Sequence, residues 1–79
     1  MGTKLLTKSE LHRKFGRHVQ KIRKSIGLKQ EDVAYQMGID RSYVGFIERG
    51  ERNITLDKLF KLASVLNIKL KDLLNFEEE

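Results

Sequence analysis

Two short apolar-periodic stretches meet at a glycine in residues 30–49, QEDVAYQMGIDRSYVGFIER. Val33 and Met37 are four apart, and Val44 and Ile47 are three apart, so each pair shares one helical face. The spacing predicts one helix over about Gln30 to Met37 and a second over about Arg41 to Arg49. Gly38, between them, can take the positive φ that closes a helix. Asp40 suits the N-cap of the second helix, where its carboxylate accepts from the free N–H groups of the first turn. Ala34 is small where the two helices must approach, and Ile39 can fold inward between them.

The flanking sequence reads as helix on both sides. Residues Met1 to Leu6 have no clear period and are expected as an arm, partly ordered by Leu5 and Leu6. Thr7 with Glu10 three residues on matches a capping box. Leu11, Phe15, Val19, Ile22 and Ile26 then form one core-facing stripe, and Gly27 ends the first helix. Gly16 sits in mid-helix, where it is unfavourable unless another element packs closely there. After a connecting loop over Gly50 to Ile54, Thr55 or Asn53 caps a fourth helix. Its residues Leu56, Leu59, Phe60, Leu62, Ala63, Val65 and Leu66 cover more than one face. Asn67 marks its end. A fifth helix over about Leu70 to Asn75 carries Leu70, Leu73 and Leu74, with Phe76 after it, and Glu77–Glu79 reads as a frayed acidic tail.

The expected fold is therefore all-α, five helices in a single domain over residues 1–79. A core of 79 residues is marginal, so a partner subunit would add stability. The chain has no cysteine, hence no disulfide and no thiolate metal site. It has no apolar run of membrane-spanning length and no signal-peptide pattern, so no membrane role is expected. Charge is uneven. Residues 1–30 hold nine Lys and Arg (Lys4, Lys8, Arg13, Lys14, Arg17, Lys21, Arg23, Lys24, Lys29) against Glu10 alone, while residues 31–79 hold seven against ten Asp and Glu. A basic half beside a slightly acidic one suggests that one face meets a polyanion.

Gln30, Ala34, Gly38, Val44, Ile47 and the run Ile47-Glu48-Arg49-Gly50 together resemble the Cro/repressor-type (lambda-repressor-like) helix-turn-helix family, over about Phe15 to Leu74. Asp40-Arg41-Ser42-Tyr43 and Glu48-Arg49-Gly50-Glu51-Arg52-Asn53-Ile54-Thr55 look most like the controller proteins of restriction–modification systems. The resemblance implies a helix-turn-helix over about residues 30–49 and a dimerisation region over about 56–76. Surplus apolar side chains in the last two helices suggest a dimer interface, with Leu66, Leu70, Leu73, Leu74 and Phe76 as the expected residues, or else all of them pack within the monomer. The implied function is a homodimeric, sequence-specific transcriptional regulator on a near-palindromic operator of double-stranded DNA, in the bacterial cytoplasm or nucleoid. An activator of this kind would also meet RNA polymerase. A phage-type repressor or an antitoxin-type autorepressor is the alternative within the family. A protein–protein adaptor with a degenerate DNA face is the alternative from another class.

Base edges in the major groove present distinct donor and acceptor patterns, which a helix can read once its other face is buried. With Val44 and Ile47 inside, Ser42, Gly45, Phe46 and Arg49 face outward at about 100° per residue. Arg41 and Tyr43 flank that face at the end such helices insert. Arg41 suits guanine O6 and N7, or else pairs with Asp40 or Glu48. Ser42 suits a base or a phosphate. Tyr43 meets a thymine methyl or a phosphate, or is structural. Phe46 meets a thymine methyl or extends the core. Arg49 reaches a base or phosphate, or pairs with Glu51. Gln30, at a helix N-terminus, suits a phosphate, and the resemblance implies the same. Lys29, Gln36, Arg52 and Asn53, with Arg17 and Lys21 more remote, complete the phosphate-binding candidates.

No other chemistry is expected. His12 and His18 are six apart, off the spacing of a shared ligand face, and no carboxylate cluster joins them, so neither a metal nor a cofactor is implied. Ser9, Ser25, Ser42 and Ser64 lack a base placed to activate a nucleophile. Glu48 and Asp57 read as helix charges rather than a catalytic pair, and the chain is not expected to be an enzyme.

Overall fold

A computed structural model describes residues 5–76. It contains five helices: α1 Lys8–Ser25, α2 Gln30–Met37, α3 Arg41–Glu48, α4 Leu56–Val65 and α5 Leu70–Leu73. Of the expected arm, residues 1–4 lie outside the described residues, as does the acidic tail at 77–79; Leu5 is exposed and Leu6 half-buried.

Several helix boundaries have a local cause. The Thr7 hydroxyl accepts from the Glu10 N–H at 3.1 Å, and the Glu10 carboxylate accepts from the Thr7 N–H at 2.9 Å, a complete capping box. The Thr55 hydroxyl caps α4 by accepting from the Lys58 N–H at 3.2 Å. The chain leaves α2 at Gly38 with φ 71°. There Gly38 N–H donates to the Tyr35 carbonyl at 3.2 Å and Ile39 N–H to the Ala34 carbonyl at 3.0 Å, a Schellman ending. At the end of α4 the left-handed residue is Asn67, φ 59°, and Ile68 N–H reaches back to the Ala63 carbonyl at 3.0 Å. The expected stop at Asn67 thus has an asparagine performing a glycine's task.

The core is assembled from one face of each long helix. Phe15 and Val19 come from α1, Val33, Ala34 and Met37 from α2, Val44 and Ile47 from α3, and Leu62, Ala63 and Leu66 from α4 and its end. Ile39 is half-buried against them. Leu73 and Phe76 close the base. Phe76 meets Phe15 edge-on with ring centroids 5.7 Å apart. His18 Nε2, which must carry the proton, donates to the Asp72 carbonyl at 2.8 Å and ties the C-terminal segment to α1.

Three expectations need correction. The core stripe of α1 is shorter than its periodicity: Ile26 caps the helix and stays exposed, and Leu11 lines an open hollow beside Phe15, Leu59 and Leu74 and is also exposed. The fifth helix stops at Leu73 rather than about Asn75. Of the expected interface residues, Leu66, Leu73 and Phe76 are buried within the chain itself, at 1, 0 and 5 % exposure. A side chain already out of water has no surface left for a partner. Leu74 is exposed and Leu70 half-buried, whereas the large apolar residues standing free in this region are Leu56 at 69 % and Phe60 at 64 %, one turn apart on α4.

Gly16 owes its place in mid-helix to the crossing of α1 over the end of α3. A Cβ at residue 16 would lie 2.6 Å from the Ile47 carbonyl oxygen and closer still to that of Glu48. Both are backbone atoms, so neither helix can yield without moving. An isolated helix gains up to about 1 kcal/mol from Gly→Ala. Here Gly16→Ala is expected to destabilise instead, by roughly 1–3 kcal/mol as overpacking does. Urea unfolding of the two proteins measures the sign, and a stabilised variant would contradict this crossing.

Candidate nucleic-acid interface

Burying Val44 and Ile47 rotates the opposite face of α3 into solvent. Asp40 fixes the start of that face. Its Oδ1 accepts from both the backbone N–H and the hydroxyl of Ser42, each at 3.0 Å. These two bonds hold the exposed Asp40 carboxyl below its ordinary value of 3.8. They also engage the Ser42 hydroxyl proton, so toward a further partner its oxygen can only accept. Arg41, beside it, is exposed and has no ion-pair partner among the described residues. The Asp40 and Glu48 alternatives are both occupied elsewhere.

Gly45 forms a floor. Gln30, Asp40, Arg41, Ser42, Gly45 and Arg49 line a recess of about 350 Å³ between the N-terminus of α2 and the outer face of α3. A Cβ at residue 45 would lie 3.0 Å from Arg49 Nη1 and 3.7 Å from Gln30 Oε1. A side chain here would crowd the tip of Arg49, while Gln30 would be left in ordinary contact.

The remaining base-reading candidates are partly committed within the protein. Arg49 Nε lies 3.3 Å from a Glu51 carboxylate oxygen, both side chains being more than half exposed. The Arg49 guanidinium sits 5.1 Å from the Phe46 ring centroid, and that of Arg52 sits 4.7 Å from it. Half-buried Phe46 thus carries two cations on its ring. The Tyr43 hydroxyl donates to the Asn53 carbonyl at 3.2 Å, and Lys58 Nζ stands 4.5 Å from the Tyr43 ring centroid. Tyr43 therefore braces the loop after α3 and does not line the recess.

The phosphate candidates divide. Gln30 lies in the recess, and exposed Lys29 precedes it at the start of α2. Arg52 and Asn53 are exposed on the loop that Tyr43 holds. Gln36 is exposed on α2 but does not line the recess. Arg17 is exposed on α1, grouped with Glu10, Arg13 and Lys14, and is not brought to the recess.

Two residues important to this arrangement were read otherwise from the sequence, Arg23 only as part of the basic half and Glu48 as a helix charge. Arg23 and Glu48 form a buried ion pair, their side chains 8 and 2 % exposed. Glu48 Oε2 accepts from Arg23 Nε at 2.6 Å, and Glu48 Oε1 accepts from Arg23 Nη2 at 2.9 Å. Arg23 Nη1 donates to the Leu28 carbonyl at 2.9 Å, and Gln30 Nε2 donates to Glu48 Oε1 at 2.9 Å. The Arg23 pKa is raised, chiefly by its hydrogen bond to Glu48. A signal existed: Arg23 follows Val19 by four and Glu48 follows Val44 by four, which places both on core-facing stripes.

The helix-turn-helix family model matches residues 19–73. The chain is 41 % identical over 63 residues to the control protein C.BamHI of Bacillus amyloliquefaciens, covering 78 % of each. It superposes with a TM-score of 0.75 and 46 % identity on the crystal structure of the restriction–modification controller protein C.AhdI from Aeromonas hydrophila, covering 77 % of this chain and 92 % of that one. It is also similar, at a TM-score of 0.69 and 33 % identity over 82 % of this chain and 96 % of the other, to the controller C.Esp1396I, solved as a tetramer with its natural 35-base-pair operator.

The Asp40 cap gives the start of α3 a specific acid response. Because the folded carboxyl titrates below its ordinary value, its contribution is present above about pH 4 and is lost as pH falls through the folded pKa. Asp40→Ala is expected to lower the melting temperature near neutrality, and the gap from the parent protein should close on acidification. A gap that stays constant from pH 7 to pH 2 would show that the carboxylate is not the capping group.

Proposed function

The chain belongs to the helix-turn-helix family that includes the restriction–modification control proteins, and we propose that it is itself such a controller, a sequence-specific DNA-binding regulator of transcription acting as a homodimer. The observation that carries the reading is the recess between α2 and α3, where Arg41, with no ion-pair partner among the described residues, stands beside Ser42 and Gln30. A guanidinium at the exposed N-terminal end of α3 can donate two bonds to guanine O6 and N7. The Ser42 oxygen, its proton given to Asp40, suits a donating base edge such as an adenine or cytosine amino group. Arg49 and Phe46 read farther along the groove, and Gln30, Lys29, Arg52 and Asn53 hold flanking phosphates. Tyr43 acts by holding the Asn53 loop rather than by reading a base.

Two such helices must enter successive major grooves about 34 Å apart. We assign the seam between copies to the free face of α4, Leu56 and Phe60, together with Leu74 and the exposed part of Leu70. The structure of C.Esp1396I as a tetramer on its operator motivates a further step, in which two dimers occupy tandem sites. Occupancy would then set the sign of regulation, with RNA polymerase as the partner where the chain activates. No described helix is long and apolar enough to cross a membrane, and we place the protein with the DNA in the cytoplasm. The family model and the control-protein relatives support a regulator of transcription, and the role proposed is binding.

Selection of bound duplexes from a random pool is the direct test. It should return a near-palindromic consensus whose half-sites are one helical turn apart, and recovery of unrelated sequences would refute sequence-specific binding. Arg41→Ala should weaken the selected duplex by roughly 1–3 kcal/mol, with the loss confined to the base pair it reads. Titration against duplexes varied at each position checks this, and an unchanged affinity would remove Arg41 from the reading set. Phe60→Glu should shift the protein toward monomer in sedimentation and weaken binding of the full palindrome, while the single-chain fold persists. A dimer that survives the substitution would place the seam elsewhere.

A further inference from the structure

Glu48 ends α3 with its side chain almost wholly out of water, so it cannot touch DNA itself. Its bidentate pair with Arg23 locks the carboxylate in place, because the guanidinium fork matches both oxygens. A locked carboxylate then decides how the Gln30 amide faces. It can accept only from the amide N–H, and the opposite flip would set a carbonyl oxygen against a buried negative charge. Gln30 therefore keeps Nε2 on Glu48, while Oε1 stands over Gly45. One N–H is engaged and the second remains for a ligand at the rim of the recess. We infer that Glu48 is a positioning residue for DNA binding, holding Gln30 in one rotamer and one flip state so that its second N–H meets a backbone phosphate already ordered. The inference rests on the DNA-binding reading above. An unconstrained glutamine would lose side-chain freedom on meeting the phosphate, and a pre-ordered one has lost it on folding.

Removing Glu48 alone strands a buried arginine, so the paired change Arg23→Met with Glu48→Met, which removes both charges at similar volume, is the better probe. In the free protein, the two side-chain N–H resonances of Gln30 should be well separated and slow to exchange. In the paired variant they should move toward those of a solvated amide. Affinity for the duplex selected by the parent chain is then measured in four proteins: parent, Gln30→Ala, the paired variant, and all three changes together. The paired change should weaken binding roughly three- to tenfold when Gln30 is present, the worth of one ordered side chain, and have little effect when Gln30 is alanine. Equal losses in both backgrounds, or Gln30 resonances untouched by the change, would overturn the inference and leave Glu48 a purely structural acid. Should the paired variant melt below the assay temperature, Arg23→Leu with Glu48→Leu, which also removes both charges, takes its place in the same cycle, with the same outcomes. Failure of the parent chain to select any duplex would instead defeat the DNA reading, a result the resonances of the free protein cannot produce.

Discussion

A carboxylate sealed away from water joins three of the five helices. Glu48 on α3 holds Arg23 on α1 and Gln30 on α2, while Arg23 also holds the Leu28 carbonyl in the turn between α1 and α2. Burying two charges is unfavourable unless their geometry is good and their remaining donors are met. Both conditions hold here, and no buried side-chain nitrogen or oxygen among the described residues lacks a partner. The pair also depends on how near α1 can come to the end of α3, and the bare backbone of Gly16 sets that approach. The glycine and the ion pair are thus two parts of one constraint, which fixes the angle at which α3 is presented.

The fold was largely legible because local and global signals agree. Thr7 and Glu10 mark the first start, Gly38 and Asp40 the turn, and Asn67 the end of α4, each through a hydrogen bond that needs only neighbouring residues. What resisted reading depends on partners distant in sequence. Periodicity places Leu11 and Ile26 on the core stripe, but only elements distant in sequence decide whether anything covers them. It likewise identifies the last two helices as over-supplied with apolar residues, yet cannot divide them between an internal core and a seam. Leu66, Leu73 and Phe76 went inward because the chain after α4 folds back beneath α1.

The recess shows the same division. That Arg41, Ser42 and Arg49 share a face follows from helical spacing once Val44 and Ile47 are inside. That Tyr43 and Phe46 are engaged by their own chain does not, since their partners, Asn53, Lys58 and Arg52, arrive from beyond the helix. Arg23 and Glu48 escaped because a charged residue on a core stripe is ordinarily a snorkelling surface group. Taken singly each looks like that, and only the pairing of opposite charges on facing stripes marks them as buried.

The bond from the Tyr43 hydroxyl to the Asn53 carbonyl has a mechanical meaning for a duplex. It ties the loop after α3 to the helix, so on the DNA-binding reading proposed above the protein would help to set the span from groove floor to backbone. A double helix whose own groove width differs must deform to fit, and base steps differ in how readily they do so. Base pairs that no side chain touches would then still be weighed by their stiffness.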